Sequence, residues 1–271
     1  MPDTAASVET TSPGATLAAI RAAAPLVQNI TNFVAMDLVA NLLLAVGASP
    51  AMAHAKDEVS EFVPLAGALT VNTGTFTPEW MAGAVRAAET AQARGVPWVL
   101  DPVAAQATSF RLGNARELAR RRPSLIRGNA SEIIALAGGA EAGGKGVDST
   151  AAADAAAEAA GRLARQAGCV VVVTGAVDLV TDGTRSATCG NGHPLMTRVT
   201  AVGCALTGLT GACLAVERRP MVAALHALAI LGVAGERAAA RARGPGSFRV
   251  ALLDELWQLD PAELDAEARL A

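Results

Sequence analysis

Short apolar runs along this chain alternate with longer stretches of helical period, the arrangement of βα units built around a mostly parallel sheet. The runs "LVQNIT", "SPAMAHA", "GALTVNTG", "VPWVLDP", "LIRGN" and "CVVVVTG" predict six strands. Between them the periodicity predicts helices over about 35–46, 57–66, 78–94, 111–121, 130–138 and 150–167. Strand-like segments and tight turns follow in "DLVTDGTRSATCGNGHP", and three final helices are expected from 204 onward. Residues 1–14 read as a disordered lead-in and 15–271 as one domain.

Several strands end in polar or glycine residues: Asn72-Thr73-Gly74, Asp101-Pro102, Arg127-Gly128-Asn129 and Thr174-Gly175. Ligands of open parallel sheets bind outside the carboxyl ends of the strands, so these groups are expected to converge on one cleft.

Composition narrows the class of partner. Lysine and arginine together number 22 against 25 aspartate and glutamate, and the basic residues are scattered, so no nucleic-acid footprint emerges. The longest helical apolar stretch, "MVAALHALAILGVAG", falls short of the roughly 18 residues of a membrane span. Four cysteines without C-x-x-C spacing and three separated histidines argue against structural zinc or a disulfide framework and suit the cytoplasm.

Most candidate chemistry has a plain structural alternative. Gly139, Gly144 and Lys145 match G-x-x-x-x-G-K, but Gly146 stands where a P-loop needs serine or threonine, and the loop follows a helix. In "RVTAVGCALTGLTGACLAV", Gly203 and Cys204 open an apolar helix whose unpaired N–H groups could hold a phosphate or a developing anion. Cys204 itself is either a buried small hydrophobe or a proton acceptor with a lowered pKa.

Asp101 and Glu132 could serve magnesium through water, or simply form a turn and occupy the first turn of a helix. Arg127 could reach a nucleotide phosphate or form a surface ion pair. Thr174 could contact a ligand or cap its strand. Met52 could be a ligand contact or a core gap-filler, and Asn32 could bond a ligand or its own turn.

Six segments, "QNITNFVAMDLVANLLLAVGASPAMAHA", "VLDPVAAQAT", "IRGNASEI", "KGVDS", "VVTGAVDLVTDG" and "NGHPLMTRVTAVGCALT", together resemble the hydroxyethylthiazole kinase family, in that order, from about residue 16 to about 245. The resemblance implies a three-layer ribokinase-like α/β fold with a mostly parallel central sheet flanked by helices. It also implies a homotrimer with active sites between subunits, and ATP- and Mg2+-dependent phosphorylation of 5-(2-hydroxyethyl)-4-methylthiazole in thiamine salvage. Carried over by position, Arg127 and Thr174 match ATP-contacting residues, Asp101 and Glu132 an acidic pair serving Mg2+, and Met52, Asn32 and Ala201 the thiazole side. Cys204 stands where most ribokinase-like enzymes place an aspartate base, and Gly203 supplies a close approach.

Two departures qualify the match. Ala201-Val202 precede Gly203 where the family reads glycine and a small residue, and negative φ is expected at both. Ala104 and Gln106 stand where the family typically has glycine, which leaves open another small heteroaromatic alcohol as substrate. A catalytically silent binding protein is the alternative of a different class.

Overall fold

In the computed structural model of the protein, residues 12–138 and 149–271 are described. Eight strands form one sheet in the order β2-β1-β3-β4-β5-β6-β7-β8: β1 (Leu26–Ile30), β2 (Ser49–Ala51), β3 (Ala68–Asn72), β4 (Trp98–Asp101), β5 (Leu125–Asn129), β6 (Val170–Thr174), β7 (Asp178–Thr181) and β8 (Ser186–Cys189). The first six pair in parallel, and β7 and β8 add an antiparallel hairpin to the edge. β2 is the shortest departure from expectation, pairing over three residues and leaving Met52 and His54 beyond its end.

Helices cover both faces. One apolar layer contains residues of α1 (Pro13–Ala23), α2 (Met36–Ala45), α8 (Val202–Val216), α9 (Pro220–Arg241), α10 (Pro245–Gln258) and α11 (Pro261–Glu267). The other contains residues of α3 (Val59–Phe62), α4 (Pro78–Arg94), α5 (Ser109–Ala119), α6 (Ala130–Leu136) and α7 (Ser149–Ala167). The result is the three-layer ribokinase-like architecture.

Local sequence explains the best-defined boundaries. Thr77 caps α4 by accepting the Trp80 N–H, Pro78 occupies its first turn, and Gly95 ends it in the left-handed region at φ 67°. Two boundaries depart from the sequence reading. Pro13 and Gly14 belong to α1, capped by Ser12, rather than to a lead-in, because Gly14 N–H donates to Asp265 Oδ1 of α11 at 2.6 Å. Residues 1–11, and the glycine loop with Gly139, Gly144 and Lys145, lie outside the described residues. Four helices rather than three close the chain after 202, since Asp260 caps a further turn beginning at Pro261.

α8 explains why a helix so rich in alanine and glycine sits centrally. A Cβ at Gly208 would lie 2.9 Å from Val39 Cγ1, and one at Gly211 would lie 2.7 Å from Thr70 Cγ2. Those glycines let the helix backbone settle onto α2 and the sheet at separations side chains would forbid. α9 is also longer than its apolar sequence run suggested. At 22 residues it is long and apolar enough to cross a membrane, yet 78% of its apolar window is buried in the protein, which makes it a core helix.

Candidate active site

The register of the parallel strands places Asn72 beside Asp101, and Asn129 beside Thr174, along one rim of the sheet. Asp101 is fully buried at the end of β4. Its Oδ2 accepts from Asn72 Nδ2 at 2.7 Å and from Thr207 Oγ1 of α8 at 2.8 Å, while its Oδ1 is buried with no partner among the described residues. Burial pushes the carboxyl from its ordinary 3.8 up to about 6, opposed by the nearby Arg127 charge and reinforced by Glu132.

Arg127 projects from β5 into the space between Asp101 and β6. Its Nη1 lies 3.7 Å from Asp101 Oδ2, and its Nη2 donates to Thr174 Oγ1 at 3.0 Å. The start of α8 closes over the guanidinium: a Cβ at Gly203 would fall 2.8 Å from Nη2 and 3.0 Å from Nη1. Here glycine makes room for the guanidinium by lacking a Cβ, and its φ plays no part.

Glu132 occupies the first turn of α6, but buried, not exposed there. Within a capping box at the start of α6, its Oε2 accepts the Asn129 N–H at 2.8 Å. Its Oε1 accepts the Ala104 N–H at 2.8 Å, so the carboxylate also fixes the loop after β4. Ala104 adopts φ 52°, a left-handed conformation in which a glycine would carry no Cβ penalty. Gln106 turns away to donate to Ser131 Oγ at 3.1 Å.

Ala201 corrects the expectation of negative φ. It sits at φ 67°, ψ 3° immediately before α8, and its carbonyl accepts the Ala205 N–H at 2.8 Å. A left-handed residue followed by the helical Val202 is the alternation that turns successive N–H groups toward one point, an anion-binding nest. Alanine tolerates this at about 1–2 kcal/mol, a strain the packed start of α8 can impose. Ala201→Gly is therefore expected to stabilise the protein by up to about 1 kcal/mol, the greater freedom of glycine in the unfolded chain offsetting part of the relief. Urea unfolding checks this, and a loss of stability would contradict it.

Cys204 Sγ lies 3.5 Å from Asn32 Nδ2, which also donates to Asn72 Oδ1 at 2.8 Å. Asn32 Oδ1 meanwhile accepts the Val34 N–H at 3.0 Å, so Asn32 joins its own turn to the cluster. Burial, with the Asp101 charge adding, pushes the Cys204 thiol up to about 11. This is opposite to the lowering that a helix start can produce.

Asp101, Arg127, Thr174, Gly203, Cys204 and Asn32 are thus linked through direct contacts, and Glu132 is coupled to Asp101 by charge. Met52 lies partly buried against the same apolar layer as Cys204, at the β2 end of the rim, and its carbonyl is 3.1 Å from His54 Nδ1. Three strand spacings separate β2 from β4, about 14 Å, so Met52 and Asp101 belong to different ends of the site.

The strand ends beyond Arg127 open into a cavity of about 660 Å³. Arg127, Thr174 and Gly203 line its polar end, and Leu206, Leu228 and Leu231 line its apolar wall. Sequence reasoning assigned no role to Thr207, although it falls three residues after Cys204 on the same helical face. Asn72, a plain strand end by sequence, joins Asn32 to Asp101.

A sequence model of the hydroxyethylthiazole kinase family matches residues 17–262. The chain belongs to that family. The hydroxyethylthiazole kinase of Cereibacter sphaeroides is 58% identical over 257 residues, covering 95% of this chain and 97% of that protein. The hydroxyethylthiazole kinase of Rhizobium rhizogenes is 53% identical over 262 residues, covering 96% and 97%. Among solved structures, the hydroxyethylthiazole kinase protein from Pyrococcus horikoshii OT3 aligns with a TM-score of 0.88 at 41% identity, over 96% of this chain and 98% of that one.

Likeness of fold alone reaches further. Pyridoxal kinase from Staphylococcus aureus, in complex with AMP-PCP and pyridoxal, aligns with a TM-score of 0.60 at 15% identity, over 79% of this chain and 88% of that one.

Proposed function

We propose that the protein transfers the γ-phosphoryl group of ATP to the hydroxyl of 5-(2-hydroxyethyl)-4-methylthiazole, giving the thiazole phosphate and ADP in thiamine salvage. The observation that carries this reading is the junction of Asp101, Arg127 and Gly203 where the start of α8 meets the cavity lined by Arg127 and Thr174. Phosphoryl transfer asks chiefly for positioning and electrostatic stabilisation, and this junction offers a guanidinium, a nest of amides and a buried carboxylate.

Arg127 and Thr174 bind the nucleotide phosphates, and the amides at 201–204 stabilise charge on the transferring group. The alcohol oxygen attacks the γ-phosphorus as the bond to the ADP oxygen breaks, and the hydroxyl proton leaves to an oxygen of the transferring phosphoryl group. Asn32, Met52 and Ala201 orient the thiazole.

The partnerless Asp101 Oδ1 is a fit for Mg2+, which prefers oxygen ligands and keeps several waters. Among the described residues no group of three or more His, Cys, Asp or Glu is placed to cage a metal, a pattern that suits an ion held largely by phosphates and water. Magnesium bound with the nucleotide would supply neutralisation of phosphate charge. Asp101 and Glu132 are the residues that would hold it through water.

Cys204 takes no proton in this scheme, because a thiol pushed up to about 11 stays neutral at physiological pH. Its place beside Asn32 makes it a spacer and weak acceptor. Cys204→Ser is expected to keep the shape of the parent pH–rate profile between pH 6 and 9, with kcat within about tenfold. Loss in the variant of a rise in rate with increasing pH would restore the thiol as a base.

The alcohol side is open in one copy of the chain: Phe33 and Val34, next to Asn32, are 68% and 60% exposed. A neighbouring subunit covering them would close the site, and we read the protein as a homotrimer on that ground together with family resemblance. Four cysteines without a disulfide support a cytoplasmic setting.

ADP release in the presence of ATP and Mg2+ tests the reading. Release that depends on the thiazole alcohol supports it. Release only with another heteroaromatic alcohol reassigns the substrate, and nucleotide binding without turnover marks a silent binding protein.

A further inference from the structure

The loop Gly190–His193 leads from β8 into the short 3-10 turn Pro194–Arg198, and its Asn191, Gly192 and His193 line the cavity that Arg127 and Thr174 also line. It is held more firmly than its two glycines suggest. The Gly192 N–H donates to Glu236 Oε1 of α9 at 2.6 Å. The buried Asn191 donates to the Glu267 carbonyl at 3.0 Å and accepts the Arg269 N–H at 2.7 Å. The Arg269 guanidinium pairs with Glu236 and donates to the Gly190 carbonyl at 2.7 Å. α9 presses on the same segment: a Cβ at Gly232 would fall 2.5 Å from Asn191 Cβ, and one at Gly235 would fall 2.7 Å from Met196 Sδ.

His193 stands at the end of this clamped loop, and its ring has a defined tautomer. The Leu195 N–H, which can only donate, lies 3.1 Å from His193 Nδ1. Nδ1 is therefore the acceptor, and the proton of the neutral ring resides on Nε2. The exposed ring carries this N–H donor and shares the lining of the cavity with Thr174 and Asp178.

Resting on the reading of this cavity as the ATP site, we propose that His193 is a nucleotide-binding residue. It donates its Nε2–H to an acceptor atom of a nucleoside di- or triphosphate. Arg269 is the positioning residue that holds His193 there, acting through Glu236 and the 190–192 backbone.

His193→Asn separates the two jobs of this side chain. The shorter amide keeps an oxygen that can cap the Leu195 N–H but has no donor at the reach of Nε2. ADP affinity of this variant, measured by titration calorimetry without alcohol, is expected to fall about five- to tenfold, as for loss of one neutral hydrogen bond. KM for ATP is expected to rise by a similar factor while KM for the alcohol stays unchanged. Arg269→Ala is expected to weaken ADP in the same direction, and Arg269→Lys to restore part of the loss.

Parent-like ADP affinity in His193→Asn overturns the proposal, and so does an equal rise in KM for both substrates. Because the ADP titration needs no alcohol, a parent protein that binds ADP but does not phosphorylate the thiazole alcohol would contradict the substrate reading and leave this test intact.

Discussion

Asp101→Asn is expected to lower kcat by about 10²–10³-fold while making the ligand-free protein more stable. The gain follows from burial. Asp101 titrates at an ordinary 3.8 when unfolded and at about 6 in the folded protein, where burial penalises its charge and Arg127 only partly compensates. A folded-state pKa above the unfolded one favours the fold at low pH and costs stability as pH rises from about 4 through about 6. The full cost, on the order of 3 kcal/mol, is then present at neutral pH.

Asparagine keeps an oxygen to accept from Asn72 and Thr207 and carries no charge. Denaturant unfolding of the parent and variant in magnesium-free buffer should therefore differ most above pH 6 and converge near pH 4. A variant that is less stable than the parent at pH 7.5, or one whose rate stays within about tenfold, would contradict this account of the carboxylate.

Gly203→Ala is the second large effect, and it acts through a neighbour. The added Cβ would sit 2.8 Å from Arg127 Nη2, closer than real contacts allow, so either the guanidinium or the start of α8 must shift. Either movement disturbs the Thr174 hydrogen bond, the Asp101 ion pair and the amides at 201–204 together. Misplacement by about 1 Å in a positioning-dependent reaction costs roughly 10²-fold, and kcat/KM for ATP is expected to fall by about that factor. Steady-state kinetics check this, and a kcat/KM within threefold of the parent would show that the contact is dispensable.

The elements legible in the sequence are those whose signals are local. "LIRGN" is bounded as expected because an apolar run ends at Gly128-Asn129, and Asn129 then caps the next helix. Residues 78–94 are helical over the expected span because Thr77-Pro78 and Gly95 mark both ends. By contrast, "SPG" at 12–14 reads as part of a disordered lead-in. It becomes the start of α1 through an aspartate some 250 positions away in sequence.

The site divides in the same way. Asp101, Arg127 and Thr174 are visible as polar ends of apolar strands, and register then brings them to one rim. Thr207 and Asn72 are ordinary residues by type, and only packing of α8 on the sheet makes them partners of Asp101. Ala201 is the instructive miss. Expecting an alanine to avoid positive φ is sound locally, but the fold holds it at 67° where the chain turns into α8 and the amide nest is formed.

The most direct measurement of the central claim is ³¹P NMR of a reaction containing the protein, ATP, Mg2+ and 5-(2-hydroxyethyl)-4-methylthiazole. A new phosphomonoester resonance growing in step with ADP, and growing at least about 10²-fold more slowly with Asp101→Asn, is the predicted result. ADP accompanied only by inorganic phosphate, or ester formation undiminished in Asp101→Asn, would contradict it.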